Sequence, residues 1–202
     1  MKIVPVGIRM IVLGNGESRH RLDVAAIDEY IIGCNAVVRD LEVDCVVCCD
    51  KRMVKEALLT NVKKIYTRKR WFQGWGDDRV VDLPDIPYKG TNRQDESIHW
   101  GSGPYAVLLA AKNSPTVYMA GFDLYGNDKY LNNIYKDTAN YKASTDLRVD
   151  PSYWIYQIGK VFELYPRRGF VILQPEGWEL PKEWQQTNVK VDNKMYYQYN
   201  TL

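Results

Sequence analysis

Apolar residues in this chain come in short runs divided by polar, turn-forming segments. The runs Ile8 to Leu13, Tyr30 to Cys34, Asp44 to Cys49 and Lys63 to Thr67 read as strands, the Cys-rich one as a buried strand. Thr116 to Ala120 and Gly169 to Leu173 extend the set. Between them lie stretches with helical spacing: Lys51 to Leu59, Ser102 to Ala111 and Tyr153 to Leu164. Ser102 suits an N-cap, and Pro104 suits a first helical turn. Strand and helix alternate, which is the βαβ rhythm of a parallel sheet with helices on both faces. The predicted fold is α/β: a Rossmann-like, doubly wound, mostly parallel sheet.

Two stretches break the rhythm. Trp71 to Arg93 is rich in Gly, Asp and Pro and reads as a long loop, with Val80-Val81 as an edge strand. Residues 126–148 are polar and aromatic, with Tyr130, Asn132, Asn133, Tyr135, Asn140 and Tyr141, and too little aliphatic content for a core. They read as a small flap. Residues 1–174 thus form one domain that includes the flap. Residues 175–202, rich in Trp and Tyr, form a tail packed on the domain or on a partner subunit, which would make the chain a homo-oligomer.

Composition narrows the classes. The 202 residues are 46% hydrophobic, enough for one full core. The net charge of +2 gives no bulk electrostatic case for nucleic acid. The basic run from Lys63 to Trp71 reads as a strand with a solvated face, and Arg19 and Arg39 as solvated helix residues. Four cysteines, Cys34, Cys45, Cys48 and Cys49, fall in apolar surroundings without a second Cys or His pair to complete a zinc site. They read as buried free thiols, which with no visible export signal points to the cytoplasm. No apolar run is long enough to span a bilayer.

Candidate chemistry begins at Ile11-Val12-Leu13-Gly14-Asn15-Gly16-Glu17-Ser18. A strand runs into a glycine turn, and the amphipathic run Leu22 to Ile27 predicts a helix after it. Glycines admit close backbone approach, and a helix start offers free N–H groups to a phosphate. Arg19 stands where the dinucleotide fingerprint needs a third glycine, and the second strand ends in Asn35 rather than an acid, so NAD is disfavoured. No Gly-Lys-Ser or Gly-Lys-Thr occurs, which excludes a P-loop. Strand ends at Gly14-Asn15-Gly16, Cys34-Asn35 and Gly121-Phe122-Asp123-Leu124-Tyr125 line one crevice in a doubly wound sheet, with the helix start Ser102-Gly103 beside them.

These motifs, in this order from Ile11 to Leu164, resemble the bacterial sialyltransferases of glycosyltransferase family 42. More distantly they resemble the domain family of the archaeal hydroxymethylpterin diphosphokinases. The matching residues are Gly14-Asn15-Gly16-Glu17-Ser18, Cys34-Asn35, Ser102-Gly103-x-Tyr105 and Tyr118-x-x-Gly121-x-Asp123-x-Tyr125. The resemblance implies that Asn15 and Asn35 contact the CMP part of a donor, and that Gly14, Gly16, Ser18, Ser102 and Gly103 lie along it. It implies that Tyr125 and Tyr130 hydrogen-bond the departing phosphate. No cofactor or metal is expected, the nucleotide or nucleotide sugar being a substrate. The acceptor is unspecified.

Departures from that family are as informative. Its general base is a flap histidine shortly before an x-Thr-Asp sequence, and Ser144-Thr145-Asp146 places Tyr141 there. Its arginine before Ser-Gly is replaced by His99. Tyrosine, with an ordinary pKa of about 10, is a poor base at neutral pH. His99 and Asp123 are the remaining candidates. The leading expectation is a metal-independent glycosyltransferase-like protein acting on a nucleotide sugar, CMP-sugar favoured. The alternatives are a Mg-dependent nucleotide or pyrophosphoryl-transfer enzyme, with Asp50 and Asp123 at the sheet edge, and a non-catalytic binding module.

Overall fold

The computed structural model describes residues 9–23, 27–69, 74–125 and 129–198. Ile8, residues 24–26, Arg70, Trp71 and Gly126, which figure in the expectations above, lie outside the described residues. Among the described residues eight strands form one sheet: β1 (Met10–Leu13), β2 (Tyr30–Cys34), β3 (Cys45–Val47), β4 (Ile65–Thr67), β5 (Val80–Asp82), β6 (Thr116–Ala120), β7 (Gly169–Leu173) and β8 (Val189–Val191). Their order is β5-β4-β3-β2-β1-β6-β7-β8, and every pairing is parallel. From β1 the chain winds outward to β5, then returns to the other side of β1 with β6. That reversal, between β1 and β6, is the switch point at which open α/β sheets take ligands.

Strand alternation divides the core in two. Met10, Val12, Ile32, Cys45 and Val47 face one layer, and Ile11, Leu13, Ile31, Val46 and Cys48 the other. The first layer holds α2 (Ser102–Asn113) and α3 (Ser152–Leu164). The residues of α2 from Pro104 to Ala111 are all buried, because it lies between sheet and α3. The second layer holds α1 (Lys51–Leu58), which buries only Met53, Val54 and Ala57 and starts at Asp50, whose carboxylate accepts from Arg52 N at 2.9 Å. The short α4 (Asn193–Gln198) places Tyr196 in the same layer.

The turn after β1 leads into a 3-10 turn, Glu17–Arg21, and the helix expected over Leu22 to Ile27 centres on residues 24–26, outside the described residues. Two local outcomes differ from the sequence reading. Arg19 is buried rather than solvated, and Arg39 is tied into side-chain partners described below. The segment read as a tail supplies β8 and the fully buried Trp184, whose Nε1 donates to Ile155 O at 2.8 Å and whose ring meets Phe162 edge-on. No helix among the described residues is long and apolar enough to cross a membrane.

Candidate functional site

At the carboxyl ends of β1, β2 and β6 lies a cavity of about 380 Å³. Its floor is two interlocked loops. Gly14 N donates to Ala120 O (2.8 Å) and Gly16 N to Gly121 O (2.9 Å). A Cβ on Gly14 would stand 2.3 Å from Gly121 O, and one on Gly16 2.4 Å from Asp123 Cγ. The glycines are therefore required by the neighbouring loop as well as exposed to the cavity. Asp123 fixes the junction: its buried carboxylate accepts from Ser18 N (2.8 Å), from Ser18 Oγ and from Gln174 Nε2 (3.1 Å). Carboxylate hydrogen bonds of this kind are worth about 1.5–3 kcal/mol each.

The walls carry amides. Asn35 takes a left-handed backbone (φ 50), and its Oδ1 accepts from Ser102 Oγ at 2.7 Å, which itself accepts from Cys49 N at 2.9 Å. This relay joins the end of β2, the end of β3 and the first turn of α2. Asn15 Nδ2 donates to Tyr141 Oη at 3.1 Å, while Asn15 Oδ1 is buried with no hydrogen-bond partner among the described residues. Leu124 and Asn140, which also line the cavity, have positive φ of 63 and 68. Asparagine tolerates that region; a leucine there is uncommon, and its strain of about 1–3 kcal/mol is held in place by the loop around it.

The flap is strapped over the cavity. Ile134 N donates to Asn15 O (2.9 Å), and Glu17 N donates to Asn132 Oδ1 (2.8 Å). Arg39 binds Glu56 with both arms (2.7 and 2.8 Å) and reaches Thr138 Oγ1 and Ala139 O, each at 2.8 Å. Asn140 Nδ2 donates to the same glutamate at 2.6 Å. Those partners hold the Glu56 carboxyl below the usual range, Arg39 first and Asn140 after it. Beneath, the buried Arg19 guanidinium donates to Gly14 O (2.8 Å) and Tyr135 Oη (2.8 Å), and Tyr135 donates to Asp40.

The structure brings Gly14, Asn15, Gly16, Asn35, Ser102, Gly103 and Asp123 to one cavity. Ser18 stands behind it, holding Asp123. Tyr125, Tyr130 and His99 do not line it. Tyr125 faces Glu183 and Glu179, and its hydroxyl is shifted upward, chiefly by burial. Tyr130 is 40% exposed and bridges to Leu147. His99 Nε2 accepts from Arg93 Nε at 3.2 Å, and its ring meets Tyr153 edge-on. Tyr141, the residue at the flap-histidine position, does line the cavity, and burial pushes its hydroxyl up to about 12. Asp50 caps α1 and pairs with Arg52, outside the cavity lining. All four cysteines are free and buried, with thiols pushed up by burial.

Sequence reasoning missed Lys142, Arg148, Val149 and Trp154, which also line the cavity. The flap holds four basic residues, Lys129, Lys136, Lys142 and Arg148, and nothing in the sequence singles out the last two. No grouping of three or more His, Cys, Asp or Glu suited to a metal occurs among the described residues.

No family profile and no curated protein matches this chain. A solved structure does: the sialyltransferase CstII from Campylobacter jejuni, in complex with a substrate analogue, cytidine-5′-monophosphate. The two superpose with a TM-score of 0.57 at 15% identity, over 85% of this chain and 82% of that one. This likeness is one of fold. The chain has the Rossmann-like α/β architecture of a glycosyltransferase structure, with its own cavity at the switch point.

Proposed function

We propose that the cavity binds a nucleotide sugar, a CMP-sugar in preference to others, and that the protein transfers the sugar without a metal. One observation carries the reading. Asn15 lines the cavity, and its Oδ1 is a buried acceptor with no partner among the described residues, on an amide whose nitrogen is already committed to Tyr141. A buried acceptor left unpaired costs about 1–3 kcal/mol, so a ligand that donates there regains that amount. At ring position 4 cytosine presents an amino donor where uracil presents a carbonyl acceptor, so an acceptor placed at that edge favours cytosine over uracil. The neighbour of like fold, solved with cytidine-5′-monophosphate, supports the same choice.

The other parts have consistent roles. Ser102 and Gly103 open a twelve-residue α-helix, whose free N–H groups and positive dipole end suit the donor phosphate as charge grows on it. Asn35, set by its bond from Ser102, offers its amide nitrogen to the ribose or phosphate.

Titration calorimetry with CMP and UMP tests this reading. CMP is expected to bind without divalent cation, and UMP about tenfold or more weakly, since 1.4 kcal/mol is one decade. Asn15→Ala should erase the preference while leaving the fold intact. If CMP fails to bind at millimolar concentration, the reading fails. Release of CMP from a CMP-sugar then separates a transferase from a module that only binds.

A further inference from the structure

Lys142 and Arg148 line the cavity from the flap and are exposed. Neither forms an ion pair with a described residue. Their neighbours Arg39 and Lys136 are committed, to Glu56 and Glu17. Two cations facing a cavity mark a place for an anion. On the reading above the donor phosphate is assigned to the start of α2, whereas these side chains come from the flap and share the cavity lining with Val149 and Trp154.

The same cavity is poor in bases. Asp123 is the one carboxylate among its described lining residues, and three donors hold it. Tyr141 keeps its proton at neutral pH. His99 lies elsewhere. Attack by an alcohol needs a positioned group to take its proton. A phosphate monoester, with a second pKa of about 6, or a carboxylate, with a pKa of about 4, is ionised already.

We propose that the acceptor attacks with an oxyanion, a phosphate or a carboxylate, which Lys142 and Arg148 hold in the cavity beside Trp154. This rests on the nucleotide-sugar reading of the same cavity. A lone pair on the acceptor oxygen forms the bond to the anomeric carbon. The bond from that carbon to the donor phosphate oxygen breaks, and its electron pair leaves with CMP. CMP gains the negative charge that the acceptor loses, and no proton moves.

The test uses the full chain, CMP-N-acetylneuraminic acid and three acceptors: phenyl phosphate, benzoate and methyl β-galactoside. The first two have no nucleophile except the oxyanion. At least one of them should raise CMP release about tenfold above hydrolysis, with the product seen by mass spectrometry, and which one responds identifies the oxyanion. Methyl β-galactoside should leave release at the hydrolysis level. With phenyl phosphate, the acidic limb of the pH–rate profile should fall near the acceptor's own pKa of about 6. The double variant Lys142→Ala/Arg148→Ala should raise the acceptor KM about tenfold or more while CMP affinity stays within about twofold. Transfer to methyl β-galactoside at a comparable rate overturns the proposal, as does failure with both oxyanions. A variant that loses CMP affinity instead overturns it by assigning the cations to the donor. Each of those results leaves the nucleotide reading standing; absence of CMP binding to the wild type would remove that reading itself.

Discussion

Replacing Gly16 with alanine isolates the interlock beneath the cavity. Gly16 has φ −66 and ψ 150, which alanine adopts freely, so the substitution introduces no backbone strain. The new methyl would lie 2.4 Å from Asp123 Cγ and 2.5 and 2.7 Å from its oxygens, against an ordinary contact of 3.4 Å or more. The carboxylate must retreat by about 1 Å, and its bonds from Ser18 and Gln174 cannot all follow. Losing two such bonds costs about 3–6 kcal/mol. Alanine returns about 0.4–1 kcal/mol by restricting the unfolded chain. The net loss is about 2–5 kcal/mol, or roughly 5–15 °C in melting temperature for a chain of this size. CMP affinity should fall as well, because Asn15 rides on the same turn. The control is Gly177→Ala. That glycine has φ +88 and, among the described residues, no heavy atom within 4 Å of its Cβ position, so the change introduces left-handed strain, about 1–2 kcal/mol. Melting by circular dichroism with parallel CMP titration is the assay. A Gly16→Ala protein melting within about 2 °C of wild type with unchanged CMP affinity would refute the interlock, as would equal losses in the two variants.

Other outcomes follow from the same geometry. Arg39→Ala removes the bonds to Thr138 and Ala139 and the pair with Glu56, so residues 138–140 should gain hydrogen exchange while β1 and β6 keep their protection. Glu56 is held below its ordinary pKa, so its contribution is complete above the unfolded value of about 4.3 and is lost as pH falls through the lower folded value; Arg39→Ala should flatten the dependence of melting temperature on pH in that acidic window. Trp184→Ala, which empties a fully buried site between α3 and the sheet, should cost about 3–5 kcal/mol in denaturant unfolding. The four thiols should react with a colourless-to-yellow disulfide reagent at neutral pH only after unfolding, since burial holds each of them protonated.

The sheet was readable because its signal is local. Short Val- and Ile-rich runs separated by helical periodicity leave a parallel sheet as the economical solution, and the crevice follows from topology alone. Even the two-residue run Val80-Val81 appears as β5. The strand that escaped notice, Val189–Val191, is three residues long with an exposed lysine at its centre; it pairs on one side only, at the end of the sheet, where little burial marks the sequence.

The site was legible to a different degree, and the division has a physical cause. A residue's type announces what it can bond, not which distant partner claims it first. Gly14 and Gly16 announce close approach, yet much of that approach is to Gly121 and Asp123, more than a hundred residues away. Arg19 announces charge, and reading it as solvated was reasonable until Asp40 and Tyr135 arrive from two other parts of the chain to bury it. His99 sits three residues before Ser102 in sequence, but the 3-10 turn Ser97–His99 directs it to Arg93 and Tyr153 and leaves the cavity to Gly101 and Ser102. Asn15, Asn35 and Ser102 stand at the cavity, as strand ends and a helix start lead one to expect from sequence. By the same logic Asn15 Oδ1, Lys142 and Arg148, which have no partner or ion pair among the described residues, are where a ligand has much to gain. On the reading proposed above, a nucleobase amine is expected at the first and an acceptor oxyanion at the other two.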